Sequence, residues 1–212
     1  MDYESPYHVY RRLIDVATNE SIAPEVLPYE ADIAECIVEQ VQYMKENLHR
    51  LKPKLDRFCV EQHQMELERF SFLLRKYYRT RLDKIEKCAK DLVRQLNTPD
   101  GKEVMKKLLS PAELKYLDRY VTSIDSHLEK TVLRKMPSNM RNFHLTDIAS
   151  NEKTEFDCNY VFVKAVVRTS VTVDDPVVGQ EVVVMEKGSQ HFLPYSAVRE
   201  HLTTGSKDLI LL

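Results

Sequence analysis

Glycine is the residue that most limits what this chain can fold into. Four occur, Gly101, Gly179, Gly188 and Gly205, and three of them fall in the last 35 residues. Average usage of about 7% would give roughly 15 in a chain this long. No G-x-G-x-x-G dinucleotide fingerprint and no G-x-x-x-x-G-K-[ST] phosphate loop can be assembled from these positions. Both motifs need glycine so that the backbone can approach a phosphate closely. The same scarcity predicts long helices, because glycine inside a helix costs about 1 kcal/mol relative to alanine.

The chain is 43% hydrophobic and 30% charged, the balance of a globular protein. No run approaches 18 apolar residues, so no membrane-spanning helix is expected. Met1 to Glu20 holds Arg11, Arg12 and Asp15 and has no apolar core, so it does not read as a signal peptide. Cys36, Cys59, Cys88 and Cys158 are widely spaced with no C-x-x-C, which suits reduced thiols in an intracellular protein. The net charge of −2 argues against a dominant nucleic-acid or membrane role.

Composition changes near residue 145. Before it stand 25 Lys+Arg and 23 Asp+Glu; after it, 6 and 10. Valine supplies 11 of the 28 residues from Tyr160 to Lys187, against 10 in the first 159. Its restricted χ1 favours strands over helices. The expected fold is therefore α+β: a helical domain over 1–145, a linker over 146–159 and a small β-rich domain over 160–212.

In the first part, Ser5-Pro6 reads as a cap with proline at the first helical position, followed by the apolar face Val9, Leu13, Ile14 and Ala17. Ala23 to Pro28 is a proline-bounded connector. A second helix spans about Tyr29 to Leu51, with Ile33, Ile37, Val41, Met44, Leu48 and Leu51 at heptad-like spacing. Pro53 is expected to open a third helix that reaches Asn97-Thr98-Pro99-Asp100-Gly101, a strong stop. Ser110-Pro111-Ala112-Glu113 is a capping box opening a helix that would bury Leu114, Leu117, Val121, Ile124, Leu128, Val132 and Met136. It ends at Met136-Pro137.

The second part reads as a mixed module. Tyr160 to Val167 is a strand and Asp174-Asp175-Pro176 a turn. Glu181 to Met185 and Gln190 to Leu193 form a strand and its return around Glu186-Lys187-Gly188-Ser189. Ser196 to Leu202 is a short helix and Leu209 to Leu212 a last strand. So few residues make a small core, one expected to lean on another surface.

Read unbroken, the third helix covers roughly 44 residues, about 66 Å. A compact chain of this length is only about 45 Å across. Phe70, Phe72, Leu73, Leu74, Tyr77 and Tyr78 also cover most of two turns. Either the helix breaks near Lys87 to Lys90, or another chain covers it.

Three constellations could carry chemistry. His63 and Glu66, at i,i+3 with Glu68 nearby, could share a metal, but no second such pair follows on another helix, so no metal is expected. Arg75 to Lys87 has six basic and two acidic residues interleaved with Tyr77 and Tyr78. It suits either a single-stranded nucleic-acid surface or a helix whose arginines pair with carboxylates of neighbouring helices. The chain's overall acidity, Leu82 and Ile85 favour the second, with direct DNA binding weak or absent. No Ser/His/Asp or Cys/His grouping stands out, so neither catalysis nor a cofactor is expected.

Glu61 to Arg69 and its continuation Tyr78 to Lys87 resemble the GINS-complex subunit family of the SLD-five type. Ala23-Pro24-Glu25-Val26-Leu27 before Ile37 to Val41, Leu109 to Glu113 before Leu133 to Pro137, and Glu186 to His191 match in the same order. The resemblance implies an all-helical domain followed by a β-rich one, within a four-chain GINS assembly in the nucleus. It implies three sister GINS subunits as partners, with the MCM helicase ring, its associated helicase factor and the replicative polymerases beyond them. Some relatives carry an acidic, hydrophobic N-terminal peptide that docks a replisome hub; here Met1 to Glu4 precede the first helix. The candidate subunit-interface residues are Met65, Arg69, Tyr77, Tyr78, Arg79, Arg81, Leu82, Ile85, Glu86, Leu117, Val121, Ile124 and Leu128. Arg81 is expected to meet a carboxylate in a packed interface between subunits.

Overall fold

The computed structural model describes residues 6–99, 101–138, 159–175, 179–204 and 208–212. Helix α1 spans Pro6–Ile22, its first turn started by the fixed φ of proline. Its Val9, Leu13, Val16 and Ala17 pack against Ile33, Ile37 and Val41 of α2 (Ala31–Leu51). The heptad stripe of α2 is covered only over its first half. Met44 and Leu48 are half-buried, and Leu51 is exposed. Pro53 sits in a 3-10 turn, Lys52–Lys54, and α3 (Arg57–Lys87) starts after it, not at the proline itself.

At 31 residues α3 is about 46 Å long. It stops at Cys88, whose backbone (φ −93°, ψ 9°) leaves the helical range, and α4 (Ala89–Leu96) restarts after it. Of the two solutions to an over-long helix, the chain takes the break. Gly101, read as part of a stop, is instead the first residue of α5 (Gly101–Leu108), a helix the sequence reading leaves out. The residue must be glycine for a steric reason: a Cβ there would run into the Gln95 carbonyl and the Thr98 hydroxyl. The capping box forms as read at the start of α6 (Pro111–Thr131). The Ser110 hydroxyl accepts from the Glu113 N–H at 3.2 Å, and the Ser110 N–H donates to Glu113 Oε2 at 2.8 Å. Of the stripe expected inside, only Leu117 is fully buried on α6. Leu114, Val121, Ile124 and Leu128 are half-buried, while Val132 and Met136 beyond the helix are exposed.

The strands are β1 (Tyr160–Ala165), β2 (Thr169–Asp175), β3 (Gly179–Met185), β4 (Gln190–Pro194) and β5 (Leu209–Leu211), with α7 (Tyr195–Thr203) between the last two. Their pairing corrects the sequence reading. Strand β3 does not return to β4; it pairs antiparallel with β2, in register from Thr169↔Met185 to Asp175↔Gly179. The sequence reading had no separate strand there and ended at the Asp174-Asp175-Pro176 turn, whose proline lies outside the described residues. Strand β4 is left to pair with β1, with Phe162 opposite Phe192, and β5 takes the other edge of β1. The Glu186–Ser189 turn therefore joins two sheets. Gly188 supplies its positive φ of 86°, and its N–H donates to the Ala165 carbonyl at 2.7 Å, fastening the turn to the end of β1.

The inner face of the three-stranded sheet, Val161, Val163, Ala165, Leu193, Leu209 and Leu211, shares one core with Val198 and Leu202 of α7 and with Ala23 and Leu27 of the helical connector. The Leu211 N–H also donates to Asn19 Oδ1 of α1 at 2.8 Å. The strands thus rest on the helices. Residues 146–158 of the expected linker, and Cys158, lie outside the described residues. Among the described residues no helix is long and apolar enough to cross a membrane.

Candidate subunit interface and the buried ion cluster

Arg81 is completely buried on α3, and all five of its N–H donors are used. Its Nε and Nη2 form a fork on Glu113, at 2.7 Å and 3.0 Å. Nη1 donates to Glu20 Oε2 at 3.1 Å and to the Leu27 carbonyl at 2.6 Å; Nη2 also donates to the Leu108 carbonyl at 2.9 Å. The rings of Tyr29 and Tyr77 face the guanidinium at 5.4 Å and 5.6 Å. One turn on, Lys84 Nζ donates to Glu20 Oε1 at 2.9 Å and to the Glu25 carbonyl at 2.8 Å. One cation thus ties α1, the connector, α3 and the α5–α6 junction together.

The electrostatics are tightly drawn. Burial works against the charge on Arg81, but the Glu113 hydrogen bond, Tyr77 and Glu20 outweigh it and hold the group above its ordinary range. Burial wins at Lys84, whose pKa falls despite Glu20. Tyr77 and Tyr78 are pushed up by burial. Glu25 extends the network into the strand module. Its Oε1 accepts from the Tyr195 hydroxyl at 2.9 Å, and Arg199 grips both its oxygens, at 2.8 Å and 2.6 Å.

The expected interface residues divide by burial. Tyr77, Arg81, Ile85 and Leu117 lie inside this chain's own core and present almost no surface to another chain. Tyr78, Leu82, Glu86, Val121, Ile124 and Leu128 are half-buried, with Tyr78 Oη 3.4 Å from Tyr29 Oη and Glu86 accepting from the Tyr116 hydroxyl. Met65, Arg69 and Arg79 are exposed. The carboxylates that meet Arg81 belong to the same chain. Two of the six cations in Arg75 to Lys87, Arg81 and Lys84, are held inside, which strips the nucleic-acid reading of part of its charge. His63 Nδ1 and Glu66 Oε2 lie 3.8 Å apart on the exposed face of α3.

Sequence reasoning did not single out Glu20, Lys84, Glu113 as an Arg81 partner, or the Glu25 clasp. One signal was available. Glu20 continues the apolar spacing of Val9, Leu13, Val16 and Ala17 on α1, and a carboxylate on a buried stripe calls for a buried cation. Glu113 is visible as a cap, but its second role depends on how α6 is placed.

Two family models match the chain. A GINS complex protein helical bundle domain covers residues 37–132, and a DNA replication complex GINS protein SLD5 C-terminus covers residues 159–210. The chain is 33% identical over 210 residues to the "DNA replication complex GINS protein SLD5" of Homo sapiens, spanning 97% of this chain and 91% of the relative. This chain belongs to the SLD5 family of GINS proteins. The similarity extends to the SLD5 proteins of Xenopus laevis, at 30% over 209 residues (97% of this chain, 91% of the relative), and Arabidopsis thaliana, at 30% over 197 residues (91% and 86%). The SLD5 helical-bundle match begins inside α2, so Glu20 and Glu25 lie before it while Arg81, Lys84 and Glu113 lie within it.

Proposed function

We propose that this chain is a structural, non-catalytic subunit of a GINS complex acting in DNA replication in the nucleus. It needs no cofactor. Three sister subunits complete a heterotetramer, and through it the chain serves the replicative helicase: the MCM ring with its associated helicase factor, and the polymerases it works beside. Residues 1–145 are the assembly body, residues 160–212 a docking module, and 146–159 the link.

Membership of the SLD5 family supports this reading, and one structural observation carries it further: the helices keep apolar faces that the described residues do not cover. Phe58, Met65 and Phe72 on α3 are 62–70% exposed, and the α6 stripe beyond Leu117 is half-buried or exposed. Burying such faces releases about 25 cal/mol per Å² of apolar surface, which is what a second chain would gain. The test is co-expression with the three sister subunits, followed by native mass measurement. A stoichiometric four-chain complex is expected. A stable monomer that ignores all three would refute the proposal.

A further inference from the structure

Three Ser/Thr-Pro dipeptides occur in the chain: Ser5-Pro6, Thr98-Pro99 and Ser110-Pro111. A hydroxyl followed by proline is the minimal acceptor for a proline-directed protein kinase, which accepts the ring beside the acceptor and needs no N–H there. Ser5 lies outside the described residues. The fold treats the other two in opposite ways.

Ser110 is half-buried and engaged on both sides. Its hydroxyl accepts from the Glu113 N–H at 3.2 Å, and its own N–H donates to Glu113 Oε2 at 2.8 Å. Glu113 in turn receives the Arg81 fork. To reach a kinase, Ser110 would have to leave its capping box and disturb the carboxylate that balances a buried cation.

Thr98 and Pro99 are exposed, in the turn between α4 and α5 and outside both helices. An exposed connection can open to an enzyme while the core stays folded. The Thr98 hydroxyl donates to the Gln95 carbonyl at 2.6 Å, and the Thr98 N–H reaches the same oxygen at 3.1 Å. The Thr98 carbonyl accepts from the Gly101 N–H at 3.1 Å. That hydroxyl and that Gln95 carbonyl are also the groups that leave no room for a Cβ at Gly101. The hydroxyl hydrogen therefore helps to close the α4–α5 junction.

We propose that Thr98 is a phosphorylation site for a proline-directed Ser/Thr kinase, and that its phosphate opens the α4–α5 junction. In the transfer the bond from Thr98 Oγ1 to the γ-phosphorus of ATP forms as the bond from that phosphorus to the β–γ bridging oxygen breaks. ADP leaves, and the hydroxyl proton passes to the kinase's catalytic carboxylate. Phosphothreonine has no hydroxyl hydrogen to donate to Gln95, and it sets a charge of about −1.5 to −2 against a carbonyl oxygen. The side chain must then turn away from Gln95. The opening stays local, because Met105 is buried and the Leu108 carbonyl still holds Arg81 at the far end of α5.

The intact, folded chain is incubated with a proline-directed kinase and magnesium ATP. Mass spectrometry locates the phosphate, and hydrogen exchange is compared before and after. Thr98 is expected to be modified at least tenfold faster than Ser110, with no phosphate at that position in Thr98→Ala. Backbone amides over residues 97–105 should then exchange at least tenfold faster, while those of α6 stay unchanged. An unmodified Thr98, or Ser110 modified as fast, overturns the site. Phosphate on Thr98 with unchanged exchange over 97–105 overturns the opening.

Discussion

Replacing Arg81 with methionine removes five donated hydrogen bonds from a site that has no solvent-exposed surface. The Glu20 and Glu113 side chains left behind are 1% and 7% exposed. Breaking a buried pair by removing one partner costs about 3–5 kcal/mol, because the remaining charge is stranded. Both carboxylates keep one partner, Lys84 for Glu20 and the Ser110 N–H for Glu113, which argues for the lower end. A chain of about 150–250 residues loses roughly 2–4 °C in Tm per kcal/mol, so Arg81→Met should melt roughly 6–12 °C below the parent at about 3 kcal/mol. The assay is thermal unfolding by circular dichroism at neutral pH. Arg79→Met, two residues away and exposed, should change stability by less than about 0.5 kcal/mol. Adding Glu113→Leu to Arg81→Met should recover part of the loss, since it removes one stranded charge. A shift in Arg81→Met no larger than in Arg79→Met would refute the reasoning.

Three further outcomes can be checked. Burial lifts Tyr77, Tyr78 and Tyr195 above the ordinary tyrosine pKa, so the folded chain keeps protons that the unfolded chain releases; stability is fully present below pH about 10 and is lost as pH rises past it, by about 1.4 kcal/mol per pH unit for each, and ultraviolet titration should show these three of the 11 tyrosines ionising last. Gly101→Ala should destabilise the protein even though alanine is the better helix former, because the new Cβ meets the Gln95 carbonyl; a gain in Tm would show that the α4–α5 junction yields. Glu25→Ala should cost about 1–2 kcal/mol in denaturant melts, chiefly by orphaning the buried Tyr195 hydroxyl, since Arg199 is largely exposed; Arg199→Ala should cost less than Glu25→Ala.

Local signals in the sequence located what local chemistry determines. Ser110 and Glu113 announced the start of α6, and both halves of the capping box form. Valine density marked the β-rich region, but β2 was missed as a separate strand. Pairing was not legible, because β3 reads equally well as a partner for β2 or β4 until the seven matched positions with β2 are known. The fate of Arg75 to Lys87 was legible only as a choice. Which cations turn inward depends on where α1 and α6 bring Glu20 and Glu113, 61 and 32 residues away from Arg81. Glycine scarcity pointed to long helices, yet Gly101 serves a close approach rather than a stop, which depends on α4 folding against it.

Among the described residues the Arg81 cluster is fully hydrogen-bonded while apolar helix faces stay exposed, and the two facts fit one physical account. A buried ion cluster adds little net stability compared with well-packed apolar side chains of the same volume, but it is costly to misplace. Arg81 can use all five donors only when α1, the connector, α3 and the α5–α6 junction stand in one arrangement. That same arrangement fixes where the outer faces of α3 and α6 point. Apolar faces are not directional, so a chain that offers several of them to partners needs some other device to hold them in register. The Arg81 cluster supplies it from inside. Glu25, bonded to Lys84 through its backbone and to Tyr195 and Arg199 through its side chain, carries the same constraint across to the strand module. Loosening the cluster without unfolding the chain, as Arg81→Met with Glu113→Leu is designed to do, should therefore weaken assembly with sister subunits more than it lowers Tm.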